Sequence, residues 1–303
     1  MSDCRETAIG GSGSATSSPN ERVAALDGRV ARANGQPASS PAGRSRNDVT
    51  IDEMMPPLQD TDPIMTALDV ETSMLVAVAA VISGGSESAQ RGILRRALPV
   101  VRAEWVEEVI LQTYLFAGFP RALNAMRLWR AISGLPAPQT DQDTDENSCA
   151  DWKERGLATC SAVYGHFYDR LRLNIAALHP ALDGWMVTEG YGIVLGRPTL
   201  DLARRELCVV AACVASQQDR QLHSHLHGAL HVGAAPAAVA EAVEVAIKAM
   251  GSMLDDDAPS RYRQLWNKVL TRHLARLAEH GGAAESAAIE ASPGTSSPAR
   301  PST

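Results

Sequence analysis

Apolar side chains between residues 58 and 280 recur at three- and four-residue intervals, the spacing of helices with one buried face. No segment alternates convincingly between apolar and polar positions, as a half-buried strand would. Alanine and leucine are plentiful, and both lose little conformational freedom on entering a helix. Asp69 and Asp201 each precede an apolar run and suit the N-cap position of a helix. The pattern predicts an all-α protein built from helical hairpins.

The pattern that follows Asp69 returns after Asp201, an offset of 132 residues. The segments LDVETSMLVAVAAVIS and LDLARRELCVVAACVA contain these two aspartates, and each leads into a polar turn and an amphipathic helix. The offset slips by one residue in the next helix, where Gly118 matches Gly251. Because self-similarity at a fixed offset indicates a repeated structural unit, we predict a duplicated helical-hairpin bundle.

Polar stretches divide the chain into parts. Residues 1–50 and 281–303 are rich in Gly, Ser, Ala and Pro, and we expect them to be disordered because they bury too little apolar surface. Residues 135–150 are acidic without an apolar period, which predicts a solvated linker. The first, degenerate repeat then spans residues 58–134, and the second repeat, with the candidate site, spans residues 151–280.

The composition narrows the classes of partner. The formal net charge of −7 repels phosphate backbones, so we expect no nucleic-acid partner. The longest apolar run of the core, MLVAVAAVI, is far shorter than the roughly 20 residues that cross a bilayer, so we expect no membrane partner. The five cysteines fit no metal or disulfide framework, and the N-terminus lacks a secretory apolar stretch. These features predict a cytoplasmic protein.

The segment HSHLHGALH, from His223 to His231, contains four of the eight histidines of the chain. On a helical wheel His223, His227 and His231 share one stripe that points progressively toward water. No cysteine or glutamate ligand lies nearby in sequence. We interpret the stripe as a solvated polar face and predict no metal site.

His225 has different neighbours on the wheel. It shares a strip with Gln218 and Gln221, and Glu206 lies 19 residues earlier on the preceding helix. If the two helices form an antiparallel hairpin, Glu206 and His225 can meet across it. A carboxylate in this position fixes the tautomer of an imidazole and raises its basicity.

The duplication supplies an internal control for this strip. In the first repeat Met74 takes the place of Glu206, and Ile93 takes the place of His225. The scaffold therefore does not need the polar strip for folding. This favours a functional His225 over a histidine that is only satisfied within the core.

Residues 60 to 275 resemble the carboxymuconolactone decarboxylase-like family, which includes alkylhydroperoxidase D and its peroxiredoxin-like relatives. The resemblance rests on GYGIVLGRPTLDLARREL and QLHSHLHGALHVGAAPAAVAEAV in the second repeat. In the first repeat Tyr114, Gly118 and Pro120 are similar to a tyrosine–glycine–proline motif of the family. The resemblance implies an all-helical fold that is usually oligomeric.

The peroxidase branch of the family carries Cys-x-x-Cys-x-x-x-His and an earlier glutamate. On this chain the histidine falls on His225, the glutamate on Glu206, and the two cysteines on Gln218 and Gln221. Glutamine supplies neither a thiolate nucleophile nor a resolving thiol, which disfavours an antioxidant function. The two cysteines of the preceding helix lie in an apolar run and are interpreted as core residues.

The decarboxylase branch lacks the cysteines and keeps the histidine. The resemblance to it implies a cofactor-free lyase that acts on a small carboxylated lactone or a related acid. In this hypothesis His225 is the general acid/base, and Glu206 orients it. Gln218 and Gln221 donate to substrate oxygens, and Arg205 pairs with a substrate carboxylate.

Two alternatives stay open at this stage. The chain is a non-catalytic helical scaffold or ligand-binding relative, which the degenerate first repeat favours, or it is the disfavoured antioxidant protein. Each function implies a small-molecule substrate or ligand. The apolar segment VILQTYLF, residues 109–116, needs cover and predicts a homo-oligomer.

Overall fold

The computed structural model describes residues 67–290, and every regular element in that range is helical. The predicted all-α fold is confirmed. The α-helices are α1 (Val70–Gly84), α2 (Glu87–Ala97), α3 (Ala103–Ala117), α4 (Phe119–Ser133), α5 (Cys149–Tyr164), α6 (Tyr168–Leu178), α7 (Pro180–Trp185), α8 (Leu202–Ala215), α9 (Asp219–His231), α10 (Pro236–Met250) and α11 (Ala258–Glu290). A π-helix covers Met186–Leu195, and 3-10 turns cover Gln142–Thr144, Glu146–Ser148, Gly165–Phe167 and Gly251–Met253.

The two predicted disordered tails fall largely outside the described residues. The N-terminal tail, residues 1–50, lies outside them entirely, as do residues 291–303. The predicted C-terminal tail starts at residue 281, whereas α11 continues to Glu290.

Aspartate caps start the two central helices, as the sequence predicted. The side chain of Asp69 accepts a hydrogen bond from the Thr72 amide (2.7 Å), and Asp201 accepts one from the Arg204 amide (3.0 Å). Each bond satisfies one of the amides that a helix N-terminus leaves without an intrahelical partner.

The core is centred on α1 and α8, which pack against each other. Residues 75–83 of α1 and 205–215 of α8 are buried. Their runs of Ala, Val and Leu are apolar on all sides, which suits a helix surrounded by others. The remaining faces of the pair are covered by α3 and α10, and α8 forms a hairpin with α9.

Helix starts recur at the offsets found in the sequence. Val70 and Leu202 begin α1 and α8, and Glu87 and Asp219 begin α2 and α9, in both cases 132 residues apart. The helices α3 and α10 begin 133 residues apart, with the same one-residue slip. These positions support the duplication, which remains our proposal.

The acidic segment 135–150 is not a wholly solvated linker, contrary to the sequence-based prediction. Arg197 binds Asp141 (2.7 Å) and Asp143 (2.8 Å), and it also binds Glu108 on α3 (3.0 Å). The Asp143 side chain is only 2% exposed. These ion pairs join distant parts of the chain, so spacing within the segment did not reveal them.

The apolar segment 109–116 is partly covered within the chain itself. Val109, Ile110, Gln112 and Thr113 are buried because α3 packs against α1, α4 and α8, whereas Leu111 is 39% exposed. The homo-oligomer inferred from this segment stays a prediction. Within residues 67–290, no helix is both long and apolar enough to span a membrane.

Candidate functional site

A buried carboxylate–imidazole pair lies at the centre of the α8–α9 hairpin. Nδ1 of His225 lies 2.8 Å from Oε2 of Glu206. Glu206 is fully buried and His225 is 5% exposed. The hairpin makes the contact that the sequence left open. With Nδ1–H donating to the carboxylate, the other ring nitrogen, Nε2, is the one that can accept a proton.

Gly228 leaves the space that the Glu206 carboxylate occupies. A Cβ atom at Gly228 would lie 2.6 Å from Oε2 of Glu206 and 2.7 Å from Cγ1 of Val163 on α5. Both separations are shorter than a van der Waals contact, so a larger residue would displace the carboxylate or α5. Glycine within α9 weakens the helix by roughly 1 kcal/mol relative to alanine, and this packing is its structural reason.

His225 lines a cavity of about 330 Å³. The Phe116 ring meets its imidazole edge-on at 5.8 Å between centroids, and the Tyr164 ring lies at 6.4 Å. In the described part of the chain, Nε2 of His225 has no hydrogen-bond partner. The other walls are mostly apolar and come from α6 and the π-helix: Leu171, Ile175, Met186, Tyr191 and Leu195.

Tyr164 and Tyr191 lie together beside the histidine. Their rings meet edge-on at 6.0 Å between centroids. Burial raises the pKa of both phenols, and the negative charge of Glu206 raises the pKa of each further. Both groups therefore stay protonated at neutral pH. The Tyr164 hydroxyl keeps its proton for donation to a ligand or a neighbouring acceptor.

The π-helix forms one wall of the cavity and packs closely on α5. A Cβ atom at Gly156 would lie 2.0 Å from the Val187 carbonyl oxygen, and one at Gly192 would lie 2.2 Å from that of Trp152. The two glycines thus permit the backbones to touch. Insertion of an extra residue per turn, as in a π-helix, is frequent at functional sites.

A hydrogen bond joins the π-helix to the end of α3. The Tyr114 hydroxyl donates to the Glu189 carboxylate, and the Tyr114 ring also packs on Phe119 at 4.7 Å. Burial and the Glu189 charge raise the pKa of Tyr114. Tyr114 therefore supports the wall, while Phe116, two residues before Gly118, is the aromatic residue that contacts His225.

The two predicted glutamines have different positions. Gln221 lines the cavity next to Arg220, and both side chains lie at its exposed mouth. Gln218 does not reach the cavity, because it occupies the N-cap of α9 and its Nε2 donates to the Ser216 carbonyl (3.0 Å). The structure therefore does not bring Gln218 together with His225 at the cavity, and its binding of substrate stays a prediction.

Arg205, which the sequence analysis assigned to a substrate carboxylate, does not line the cavity of His225. It is completely buried, and its Nη2 binds Glu108 (2.6 Å) while its Nη1 donates to Gln112 (3.2 Å). Its remaining donors reach the carbonyl oxygens of Arg197 and Leu200. Burial lowers the pKa of Arg205, and the Glu108 ion pair opposes that shift. The structure therefore places Arg205 in the core with its donors already bonded, and its predicted pairing with a substrate carboxylate has no support from this geometry.

The cysteines of α5 and α8 are core residues. Cys160, Cys208 and Cys213 are buried free thiols. Burial raises the pKa of Cys160 and Cys208 to about 12, and it raises that of Cys213 as well. Such thiols are not ionised at neutral pH and make poor nucleophiles. The interpretation of Cys208 and Cys213 as core residues is confirmed.

Several residues of the cavity escaped the sequence analysis. Tyr191 was visible in GYGIVLG, and Arg220 directly precedes Gln221, so both carried a local signal. Tyr164 and Phe116 come from α5 and α3, which no pattern in the sequence connects to α9. Among residues 67–290, no group of three or more His, Cys, Asp or Glu side chains is placed to hold a metal ion.

Comparisons with known proteins find similarity in the same part of the chain. Residues 180–253 match the sequence model of the carboxymuconolactone decarboxylase family. "Peroxisomal protein 2" of Saccharomyces cerevisiae is 25% identical over 151 residues, which are 42% of this chain and 53% of that protein. "Peroxisomal protein 2" of Schizosaccharomyces pombe is 26% identical over 173 residues, 55% of this chain and 76% of that protein.

The chain therefore spans only about half the length of the budding-yeast relative. The region matched by the family model begins at α7 and includes the π-helix and the α8–α9 hairpin. Residues 180–253, which include Glu206 and His225, are similar to the carboxymuconolactone decarboxylase family, as the resemblance in the sequence indicated.

Proposed function

We propose that the chain is a cofactor-free lyase that decarboxylates a small carboxylated lactone or a related activated acid. The observation that carries this proposal is the contact of 2.8 Å between Nδ1 of His225 and Glu206, with the imidazole on the wall of a largely apolar cavity. The cavity volume of about 330 Å³ lies at the small end of ligand pockets.

The chemistry needs one proton and a place for developing charge. Breaking the bond to the carboxylate releases CO₂ and leaves its electron pair on the ring, where the neighbouring carbonyl takes it up as an enolate. A proton is then delivered to carbon from Nε2 of His225, and Glu206 stabilises the imidazolium form through Nδ1–H. Hydrogen bonds from Tyr164 and Gln221 support the enolate oxygen.

Arg220 replaces Arg205 in this proposal as the cationic partner of the substrate carboxylate. It lines the mouth of the cavity and is exposed, so its guanidinium can meet an incoming anion. A planar guanidinium binds a carboxylate through two parallel hydrogen bonds. The carboxylate is then held at the mouth while the ring enters the apolar part.

The test is turnover of 4-carboxymuconolactone followed by ultraviolet absorbance. We expect wild-type protein to consume it, His225→Gln to lose at least about a hundredfold in rate, and His273→Gln on α11 to retain it. Circular dichroism melts establish that each variant is folded. Equal rates for wild type and His225→Gln contradict a catalytic His225, and no turnover by any variant contradicts this substrate.

A non-catalytic binding protein is the second candidate. The glutamines at the positions of the peroxidase cysteines and the completed ion pairs of Arg205 favour it, because both remove chemistry that the family uses or that the sequence suggested. In that case a lactone acid binds without turnover, and His225→Gln weakens its affinity. Calorimetry with the unreacted compound distinguishes the two functions.

We also propose a homo-oligomer and two alternative locations. Leu173 and Leu178 on α6, and Leu182 and Trp185 on α7, are 47–74% exposed and offer an apolar surface to another copy. A monomer by light scattering at micromolar concentration contradicts the homo-oligomer.

The sequence predicted the cytoplasm, whereas the names of the two fungal relatives favour the peroxisome. Imaging of the tagged full chain against a peroxisomal marker decides between them.

A further inference from the structure

A second cavity, of about 390 Å³, lies beside the His225 cavity. Its walls come from α5, the following 3-10 turn, α6, α9 and α11. The two cavities share Tyr164, Leu171 and Ser224, so they are neighbours along α9. We call the second one the cationic cavity, because six of its lining side chains are basic: Arg170, His223, His227, His231, Arg272 and Arg276.

The described lining of the cationic cavity contains no aspartate or glutamate. Arg170 on α6 and Arg272 on α11 form no ion pair with any residue that the structure describes. Two arginines in the core of the fold, by contrast, are paired: Arg197 binds three carboxylates and Arg205 binds Glu108. A cavity that gathers cations without carboxylates carries a positive potential that attracts anions.

The sequence predicted that the histidine stripe of α9 is a solvated polar face. In the structure the stripe forms the floor of this cavity. The His223 and His227 rings meet edge-on at 5.0 Å, and His227 and His231 stack at 6.2 Å. Nδ1–H of His231 donates to the Val163 carbonyl oxygen (2.9 Å). This hydrogen bond fixes the ring of His231 with Nε2 on the side that faces away from α5.

The basic side chains affect each other's protonation. Burial, together with the charges of its histidine neighbours and of Arg276 and Arg272, lowers the pKa of His227 to about 4. Burial also lowers the pKa of His223, with contributions from Arg272 and Lys268. An anion in the cavity would reverse this repulsion and allow the imidazoles to carry protons.

We propose that the cationic cavity binds the phosphate group of a small phosphorylated molecule. A phosphate dianion offers three oxygens, and guanidinium groups from two different helices can each bind it through paired hydrogen bonds. Imidazoles on the floor supply further donors. The cavity has room for a phosphate and a small organic part, which favours a metabolite over a macromolecular phosphate.

This binding site does not depend on the proposed lyase chemistry. No residue of the proposed acid–base pair lines the cationic cavity, and His225 lies on the opposite side of Ser224 in the sequence from His223. The site therefore predicts phosphate binding even if no lactone is decarboxylated.

The test is isothermal titration calorimetry of the full chain with inorganic phosphate at constant ionic strength. We expect saturable binding, and a loss of at least about tenfold in affinity in the double variant Arg170→Gln/Arg272→Gln, because it removes two guanidinium groups that form charge-assisted hydrogen bonds with the anion. Both arginines are exposed, so the double variant should fold. Arg263→Gln, on α11 but outside the cavity, is the control and should bind as wild type does.

Two further arms make the result decisive. His225→Gln should retain phosphate binding, which separates this proposal from the lyase. Acetate and citrate at the same ionic strength should bind more weakly than phosphate. Absence of phosphate binding, equal loss in Arg263→Gln, or tighter binding of citrate than of phosphate would each overturn the proposal.

Discussion

Two cavities at corresponding places in the fold have opposite chemistry. One contains His225, and the other, between α1, α2 and α10, contains Ile93; each measures about 330 Å³. The first is lined by α3, α5, α6, the π-helix and α9, and the second is lined mostly by α1, α2 and α10. Phe116 of α3 lines the first cavity, and Ala249 of α10, at the offset of 133 residues, lines the second.

The comparison shows that the scaffold forms a cavity with or without the polar pair. Met74 and Ile93 line the second cavity at the positions that correspond to Glu206 and His225. Burying a charged group costs free energy that a hydrogen-bonded partner only partly restores. A pair retained in one half and absent in the other is therefore better explained by function than by stability.

The largest expected effect comes from giving the second half the residues of the first. The double variant Glu206→Met/His225→Ile should lose at least about a hundredfold in decarboxylation rate. It should remain folded and be as stable as wild type or more so, because apolar replacement of a buried ionic pair is often neutral or stabilising. Kinetic assays and urea unfolding measure the two effects. Retained turnover would contradict a catalytic role for Glu206 and His225.

The next largest effect concerns an ion pair whose arginine only the second half contains. Arg205 on α8 corresponds to Ser73 on α1, and only Arg205 holds a buried glutamate, Glu108. Arg205→Met should lower the free energy of unfolding by about 3 kcal/mol, since it leaves a buried carboxylate with one partner fewer. The exposed pair of Arg263 with Glu244 is the control, and Arg263→Met should cost less than about 1 kcal/mol. Equal losses would contradict the buried network.

A smaller effect is expected at Gly228, which leaves space for the Glu206 carboxylate. Gly228 corresponds to Arg96 in the first half, where Met74 stands at the position of Glu206. Gly228→Ala should lower the free energy of unfolding by about 1–3 kcal/mol through crowding, despite the better helix propensity of alanine. Nothing lies within 4 Å of a Cβ atom built on Gly184, so Gly184→Ala is the matched control. Equal free energies of unfolding for Gly228→Ala and Gly184→Ala would contradict the role of Gly228 in leaving space for the Glu206 carboxylate.

The smallest effect concerns pH and the histidine stripe. The pKa of His227 is lowered from its ordinary value of 6.5 to about 4, so the unfolded chain binds this proton more readily. Stability from this group is therefore present above pH 6.5 and is lost as the pH falls toward 4. His227→Gln should flatten that decline in urea unfolding, and an unchanged slope would contradict it. The basic groups that face His227 are His223 and His231 on α9, Arg272 and Arg276 on α11, and Arg170 on α6.

Much of the fold was predictable because it depends on local pattern. Asp69 and Asp201 cap their helices as expected, since capping depends only on residues within one helical turn. The meeting of Glu206 and His225 was predictable because a short turn forces α8 and α9 into a hairpin. The helical wheel placed Gln218 on the same strip as His225 because it assumed that residue 218 is helical. In the structure α9 starts one residue later, at Asp219.

The sequence by itself determined the helical class, the caps, the core cysteines, the family resemblance and the candidate pair Glu206–His225. Only the tertiary structure decided that Arg205 is buried against Glu108, that Asp141 and Asp143 hold Arg197, and that the histidine stripe lines a cavity. The physical reason is the range of the interactions. Helix formation and hairpin contacts act between near neighbours, whereas each ion pair and each cavity wall joins residues that become neighbours only when separate helices pack.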